Sequence, residues 1–258
     1  MNRELIQLSE LVLGANHYLK TGDDFDGTTH DHIRSVTFEF APQSRSGADR
    51  QIVSGVSAWM KVLGERKTQK VYLFTQPSKE DVEIVSSPNG AQKWGFVTVD
   101  ETQSAMWVRN WVFDEESEQW DVTYTEFPAP SGKVFSLDNN KYYMRVSFLK
   151  ETLLEIGKLA AELGLDDWAE HFSNGYKILN GEGVQPYINL PFKSLLKVED
   201  CAAIIDALSW AWVFLGEGWW TDVPAAVARE KDRTEQYETL TYALYQNCLY
   251  SLMYCVNI

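Results

Sequence analysis

The chain lacks the motifs that mark the common catalytic classes by their spacing. Gly-x-Ser-x-Gly, His-Glu-x-x-His, the phosphate-binding Walker pattern and Gly-x-Gly-x-x-Gly are all absent from its 258 residues. Only four histidines are present, so acid–base or triad chemistry built on His has few groups to draw on. The sequence therefore indicates no cofactor and favours binding over catalysis.

Cysteine is scarce as well. Cys201, Cys248 and Cys255 are an odd number and have no metal-type spacing. Cys248 and Cys255 fall on one predicted helix and lie about 10 Å apart along its axis, which is too far for a disulfide. Because all three lie among apolar residues, we expect buried free thiols, as suits a reducing cytosol.

Positive charge is in deficit. Lys and Arg total 23 against 37 Asp and Glu, so the formal charge is −14. This balance argues against binding to nucleic acid or to anionic lipid, since both need cationic side chains. No apolar run approaches the roughly 20 residues that span a bilayer, and the acidic N-terminus is unlike a signal peptide. The sequence predicts a cytoplasmic protein with neither a nucleic-acid nor a membrane partner.

Aromatic residues, in contrast, are abundant. Ten Trp, twelve Tyr and twelve Phe make up 13% of the chain. These rings either build a core of large side chains or, for some Trp and Tyr, form a recognition surface.

The hydrophobic periodicity divides the chain into two halves. Strand patterns dominate residues 1–134, and helical patterns occupy residues 135–258, so the halves are either two domains or one continuous domain. The N-terminal half predicts helices at Arg3–Leu19 and Asp49–Leu63 and strands at His32–Phe40, Lys70–Thr75, Val82–Ser86, Gln92–Val99, Ser104–Phe113 and Gln119–Phe127. The C-terminal half predicts helices at Asn139–Leu163, Leu165–Leu179, Val198–Leu215 and Asp232–Val256. This order predicts an α+β fold, with a mixed, mainly antiparallel sheet on which a C-terminal helical bundle packs.

The segment Asp23–His32 is a candidate metal site. Carboxylates and a His-x-His pair suit a divalent cation, and its ligands would be Asp24, Asp26, His30 and His32. The segment does not have the register of a calcium-binding loop, so a solvated loop with Asx turns is the other interpretation.

The alternative function is an Asp/Glu-dependent hydrolase, with or without a metal bound by the segment Asp23–His32. Carboxylates on the predicted strands support this alternative. The acids on or beside strands are Glu39, Glu83, Asp121 and Glu126. A pair of them facing one cleft would suit glycosidase-type chemistry, but the sequence places no two of them together.

The connection between the last two predicted strands is acidic and flanked by Trp. Trp107 and Trp111 share one strand face, because four residues separate them. We expect an acidic hairpin with aromatic anchors that enters a basic cleft on another protein. Its residues are Trp107, Trp111, Asp114, Glu115, Glu116, Glu118 and Trp120.

A second Trp- and acid-containing turn follows the third C-terminal helix. Gly216 and Gly218 fit a helix C-cap followed by a tight turn, and Glu217, Trp219, Trp220 and Asp222 are its candidate binding residues.

Residues 205–258, which contain this turn, resemble bacterial immunity-type proteins. In those proteins a helix runs into a Gly-Gly-x-Gly-Ser-Trp-Asn-Asp-like turn, and a Tyr- and Leu-rich closing helix follows. The matching positions here are Gly216, Gly218, Trp219 or Trp220, Asp222 and then Tyr237–Asn257, while the Ser and Asn of the turn are absent. The resemblance implies a small cytoplasmic inhibitor of a toxin and leaves the N-terminal half unmatched.

Together these features predict an acidic inhibitor, of immunity or anti-defence type, that occludes a basic site on a partner such as a nuclease toxin or defence effector. A third option is an oligomer formed through the largely apolar helix Asp232–Val256.

Overall fold

The structure is a computed structural model that describes residues 1, 3–24, 30–42, 50–77, 94–128, 139–214 and 219–258. Its N-terminal half contains α1 (Arg3–Thr21), β1 (Ile33–Phe40), β2 (Gln51–Ser54), α2 (Val56–Glu65), β3 (Lys70–Thr75), β4 (Trp94–Val99), β5 (Ser104–Asp114) and β6 (Gln119–Pro128). Its C-terminal half contains α3 (Asn139–Glu162), α4 (Asp166–Leu179), a short 3-10 helix (Pro191–Leu195), α5 (Glu199–Ala211), α6 (Val223–Glu230) and α7 (Thr234–Asn257).

The strands form one six-stranded sheet in the order β2-β1-β6-β5-β4-β3. Strands β1 and β6 run parallel, and every other neighbouring pair is antiparallel. The predicted fold class is confirmed, because the fold is α+β with a mixed, mainly antiparallel sheet against which the C-terminal helices pack.

Aromatic rings fill the space between the sheet and the helices α1 and α2. Phe38 lies between Trp59 and Tyr124, with ring centroids 4.5 and 5.4 Å away, and Trp107 contacts its edge at 6.1 Å. Gly95 allows β4 to approach β5, since a Cβ at this position would lie 2.4 Å from the carbonyl oxygen of Trp107. Successive side chains of a strand point to opposite faces of the sheet, and these rings lie on the face that the helices cover.

A single cluster of buried residues runs through both halves of the chain. Helix α7 carries much of it, because it packs against α1, α3, α5, α6 and β3. Many of the apolar residues of α7 that suggested an oligomer are therefore buried within the chain, and the oligomer stays a prediction. All three cysteines are buried and free, as the sequence predicts.

The edge of the sheet at β3 is closed by two asparagine side chains. Asn16 of α1 donates to the carbonyl of Val71 at 2.7 Å and accepts its N–H at 2.9 Å. Asn257 of α7 does the same for Leu73, at 2.9 and 2.7 Å. Each amide thus takes the place of a neighbouring strand.

Two predicted helix boundaries need correction. The helix expected over Asp49–Leu63 begins only at Val56, because Gln51–Ser54 pairs with β1 and Gly55 adopts a φ of 86°. The helix expected over Val198–Leu215 ends at Ala211, and Trp212–Phe214 continue as buried non-helical chain. Helix α6 and the 3-10 helix were not predicted, and Val82–Ser86 lies outside the described residues. Of the helices in the described ranges, none combines the length and the apolar character that a membrane span requires.

Candidate functional site

The β5–β6 hairpin extends beyond β4 on one side, while β1 runs beside β6 as far as Trp120 on the other. Within the described ranges, β4 pairs with β5 only as far as Trp107, so the strand from Val108 to Asp114 pairs with β6 alone. Asp114 holds the turn, because its carboxylate accepts the backbone N–H of Ser117 at 2.8 Å and its hydroxyl at 3.0 Å. These bonds, with Arg34 nearby, hold the pKa of Asp114 below its usual value. Asp114 is thus a structural residue of the turn.

Arg34 pairs with the two aspartates that lie next to the hairpin turn. Its guanidinium donates to the carboxylates of both Asp114 and Asp121, and Ser35 donates a further hydrogen bond to Asp121 at 2.6 Å. The bonds from Arg34 and Ser35 lower the pKa of Asp121. This pairing leaves the negative charge at the turn itself.

Glu115, Glu116 and Glu118 are exposed at the tip and make no ion pair with any residue that the structure describes. Glu118 has a φ of 55°, a left-handed conformation that reverses the chain. These three glutamates, called the acidic tip below, are the unpaired anions of the hairpin.

Aromatic rings lie directly behind the acidic tip. Trp120 contacts Phe113 at a centroid distance of 5.1 Å and Trp111 at 5.9 Å, and we call these three residues the ring cluster. Phe113 is 46% exposed, and both Trp are half-buried. Val112, on the opposite face, is 53% exposed, so apolar surface borders the tip on both sides. The sequence analysis missed Phe113, although it shares a strand face with Trp111.

Two tryptophans expected as surface anchors lie inside the protein, and this part of the prediction needs correction. Trp107 is fully buried in the sheet core, where its indole N–H donates to Thr98 at 3.0 Å. Trp220 is fully buried beside α7 and donates to Thr241 at 2.9 Å. Both indoles are enclosed and hydrogen-bonded, so neither is available to a partner.

The C-terminal turn supports the helical layer. Tyr237 of α7 donates to the carbonyl of Trp220 at 2.6 Å, and half-buried Trp219 lies 6.4 Å from the ring of Trp168. Asp222 is exposed and precedes α6, which packs on α7. Glu217 lies outside the described residues. The turn therefore leaves Trp219 and Asp222 at or near the surface, in a different layer from the hairpin.

The structure brings His30 and His32 together but gives His30 and Asp24 other charged partners. Asp24 is exposed and lies 3.9 Å from Lys61, and Asp26 is outside the described residues. His30 instead contacts Glu10 of α1, with 2.8 Å between Nε2 and Oε2. His32 stacks on His30 at 5.4 Å, and burial lowers its pKa. Among the residues that the structure describes, no group of three His, Cys, Asp or Glu is placed to hold a metal ion.

The candidate carboxylates for hydrolysis are apart. Glu39 accepts a hydrogen bond from Thr125 at 3.1 Å, Asp121 pairs with Arg34, and Glu83 is outside the described residues. Glu126 alone is buried, at 8% exposure.

No family model, curated protein or solved structure matches the chain.

Proposed function

We propose that this protein binds another protein that carries a basic surface, and that it acts as an inhibitor by occluding that surface. The observation that supports the proposal is the turn end of the β5–β6 hairpin, where the exposed acidic tip adjoins the partly exposed ring cluster. Aromatic anchors beside a charged rim are the arrangement typical of energetically important interface residues.

The charge distribution supports a cationic partner. The net charge of −14 steers a cationic protein toward this one, and the acidic tip concentrates negative charge at the turn of the hairpin. A cleft that binds nucleic acid is positive, and glutamates can occupy the positions of phosphates in it. A nuclease toxin or a defence effector is therefore the partner class that fits, and an immunity or anti-defence role follows.

The experiment is a titration against the protein encoded by the neighbouring gene. We expect a complex with a Kd of about 1 µM or tighter. Replacing Glu115, Glu116 and Glu118 together by Gln should slow association by about tenfold at low salt, because steering is lost. Replacing Phe113 by Ser should instead speed dissociation, since it removes an apolar anchor.

A matched control carries the same change in net charge away from the hairpin. Glu170, Glu182 and Glu238 are all exposed, and their combined replacement by Gln should leave the association rate within about twofold. Equal effects of the two triple variants would contradict a role for the acidic tip. Absence of a complex at micromolar concentration would count against the proposal as a whole.

A further inference from the structure

A cavity of about 410 Å³ opens at the end of the sheet where β1 and β6 terminate. The loop between β4 and β5 and the C-terminal end of α2 complete its wall. This volume lies within the range of about 300–1,000 Å³ that is typical of small-molecule sites. The cavity lies at the opposite end of β5 and β6 from the acidic tip, so the two regions are separate.

Glu126 is the buried acid of this cavity. Its Oε2 accepts the backbone N–H of Ala41 at 2.7 Å and a bond from Arg66 Nη1 at 3.1 Å. No residue in the described ranges bonds to its Oε1. Burial raises the pKa of Glu126, and the bonds from Ala41 and Arg66 only partly offset this rise. The carboxyl group is therefore held rigidly, with one oxygen left for another partner.

The guanidinium of Arg66 is also held by several contacts. It lies over the ring of Phe40 at 4.1 Å, and its Nη2 donates to Gln51 at 3.3 Å. The Nε of Arg66 is buried and has no hydrogen-bond partner in the described part of the chain. When the acid and the base of an ion pair are each fixed by further contacts, the pair can orient a ligand as well as attract it.

The rest of the wall is mixed in polarity. Asp100 accepts the N–H groups of Thr102 at 2.7 Å and Gln103 at 2.8 Å through one oxygen. Burial alone would raise the pKa of Asp100, but these bonds outweigh it and lower the pKa. Thr68 and Thr98 also line the wall. The cavity thus presents donors and acceptors together, with two acidic groups and one basic group.

This composition selects the class of ligand. An anion would meet the carboxyl groups of Glu126 and Asp100, and a cation would meet the guanidinium of Arg66. A neutral molecule with several hydroxyl groups satisfies both, because each hydroxyl donates and accepts. We propose that the cavity is a binding site for a small neutral polyhydroxylated ligand, a monosaccharide or cyclic polyol, held between Glu126, Arg66 and Asp100.

The test is saturation-transfer NMR on the full chain with D-glucose, D-galactose, N-acetyl-D-glucosamine and myo-inositol as probes. Citrate and agmatine serve as anionic and cationic comparisons. At least one neutral probe should bind, and citrate and agmatine should not. Glu126→Gln should weaken that binding by about tenfold or more, the factor expected for a hydrogen bond to a charged group.

Asp100→Asn provides a second variant that keeps the fold, because an Asn side chain makes the same turn. It should weaken binding by about threefold or more with only a small fall in the melting temperature. Glu170→Gln, on the exposed surface of α4, should bind like the parent protein.

Two results would overturn the proposal. One is the absence of binding by every neutral probe, and the other is binding that survives unchanged in both Glu126→Gln and Asp100→Asn. Neither result bears on the hairpin, because the titration with a protein partner uses different residues.

Discussion

Glu10 illustrates how a single side chain departs from what its sequence neighbours suggest. It is 1% exposed, and its Oε1 has no partner within the described residues while Oε2 contacts His30. The sequence grouped His30 with neighbouring acids as candidate metal ligands, but the carboxylate that His30 contacts comes from α1, twenty residues earlier. Helical periodicity marks Glu10 as polar and does not reveal which residues a polar side chain meets.

Replacing Glu10 by Gln should change how stability depends on pH. Burial raises the pKa of Glu10 above its usual 4.5, with His30 opposing the rise, so the folded state favours the protonated carboxyl. That contribution to the unfolding free energy is present below about pH 4.5 and is lost as the pH rises through the folded-state pKa. Because Gln cannot ionise, the stability of Glu10→Gln relative to the parent protein should increase as the pH rises from 4.5 through the folded-state pKa of Glu10.

Urea unfolding of both proteins at several pH values measures this difference. Glu151→Gln, on the exposed face of α3, should show the same pH profile as the parent. A difference between Glu10→Gln and the parent that stays constant or shrinks toward neutral pH would show that Glu10 is not favoured in its protonated form.

At the scale of elements, local pattern predicted most strands and helices. The alternation in β1, β3, β5 and β6 and the stripe of α3 gave boundaries within a few residues of those observed. It misassigned β2, because Ile52 and Val53 fit a helical stripe as well as a strand. It missed α6, where Pro224 occupies the first turn, a position that favours the start of a helix. The end of α5 at Ala211 has no local sequence signal, because apolar residues continue beyond it. Tertiary packing alone determines where this helix ends.

The asparagine pairing of β3 yields a prediction for an element. Asn257→Ala removes both hydrogen bonds to Leu73 and leaves a buried N–H and carbonyl unpaired. We expect a loss of about 3 kcal/mol in the free energy of unfolding, measured by urea denaturation. The same substitution at exposed Asn189 should cost less than about 0.5 kcal/mol. A similar cost at both positions would mean that the pairing with β3 contributes nothing.

For the whole molecule, sequence determines the net charge but not its distribution. The count of −14 is a property of composition. Arg34 pairs with Asp114 and Asp121 next to the turn because β1 lies beside β6, which brings together residues that are 80 and 87 positions apart. The acidic tip is left without an ion pair among the described residues. The Trp content likewise did not reveal which tryptophans lie in the core and which lie at the surface. Only the fold shows that Trp107 and Trp220 are enclosed.

The excess of negative charge predicts the response of the whole protein to salt. Repulsion among carboxylates opposes the compact state, and salt screens it. Raising NaCl from about 10 mM to about 300 mM should therefore increase the melting temperature by about 3 °C, equivalent to about 1 kcal/mol. KCl should act equally, because screening depends on ionic strength and not on the cation. A lower melting temperature in salt would indicate that attractive ion pairs outweigh the repulsion.

The asparagine pairing at β3 also directs how the sheet can grow. Asn16 and Asn257 are bonded to Val71 and Leu73, so an additional strand cannot pair with β3 unless it first displaces these two side chains. The opposite margin is β2, which offers only four residues. Strands added in evolution, or strands of other chains that pair during aggregation, can therefore extend the sheet only at the short β2 edge.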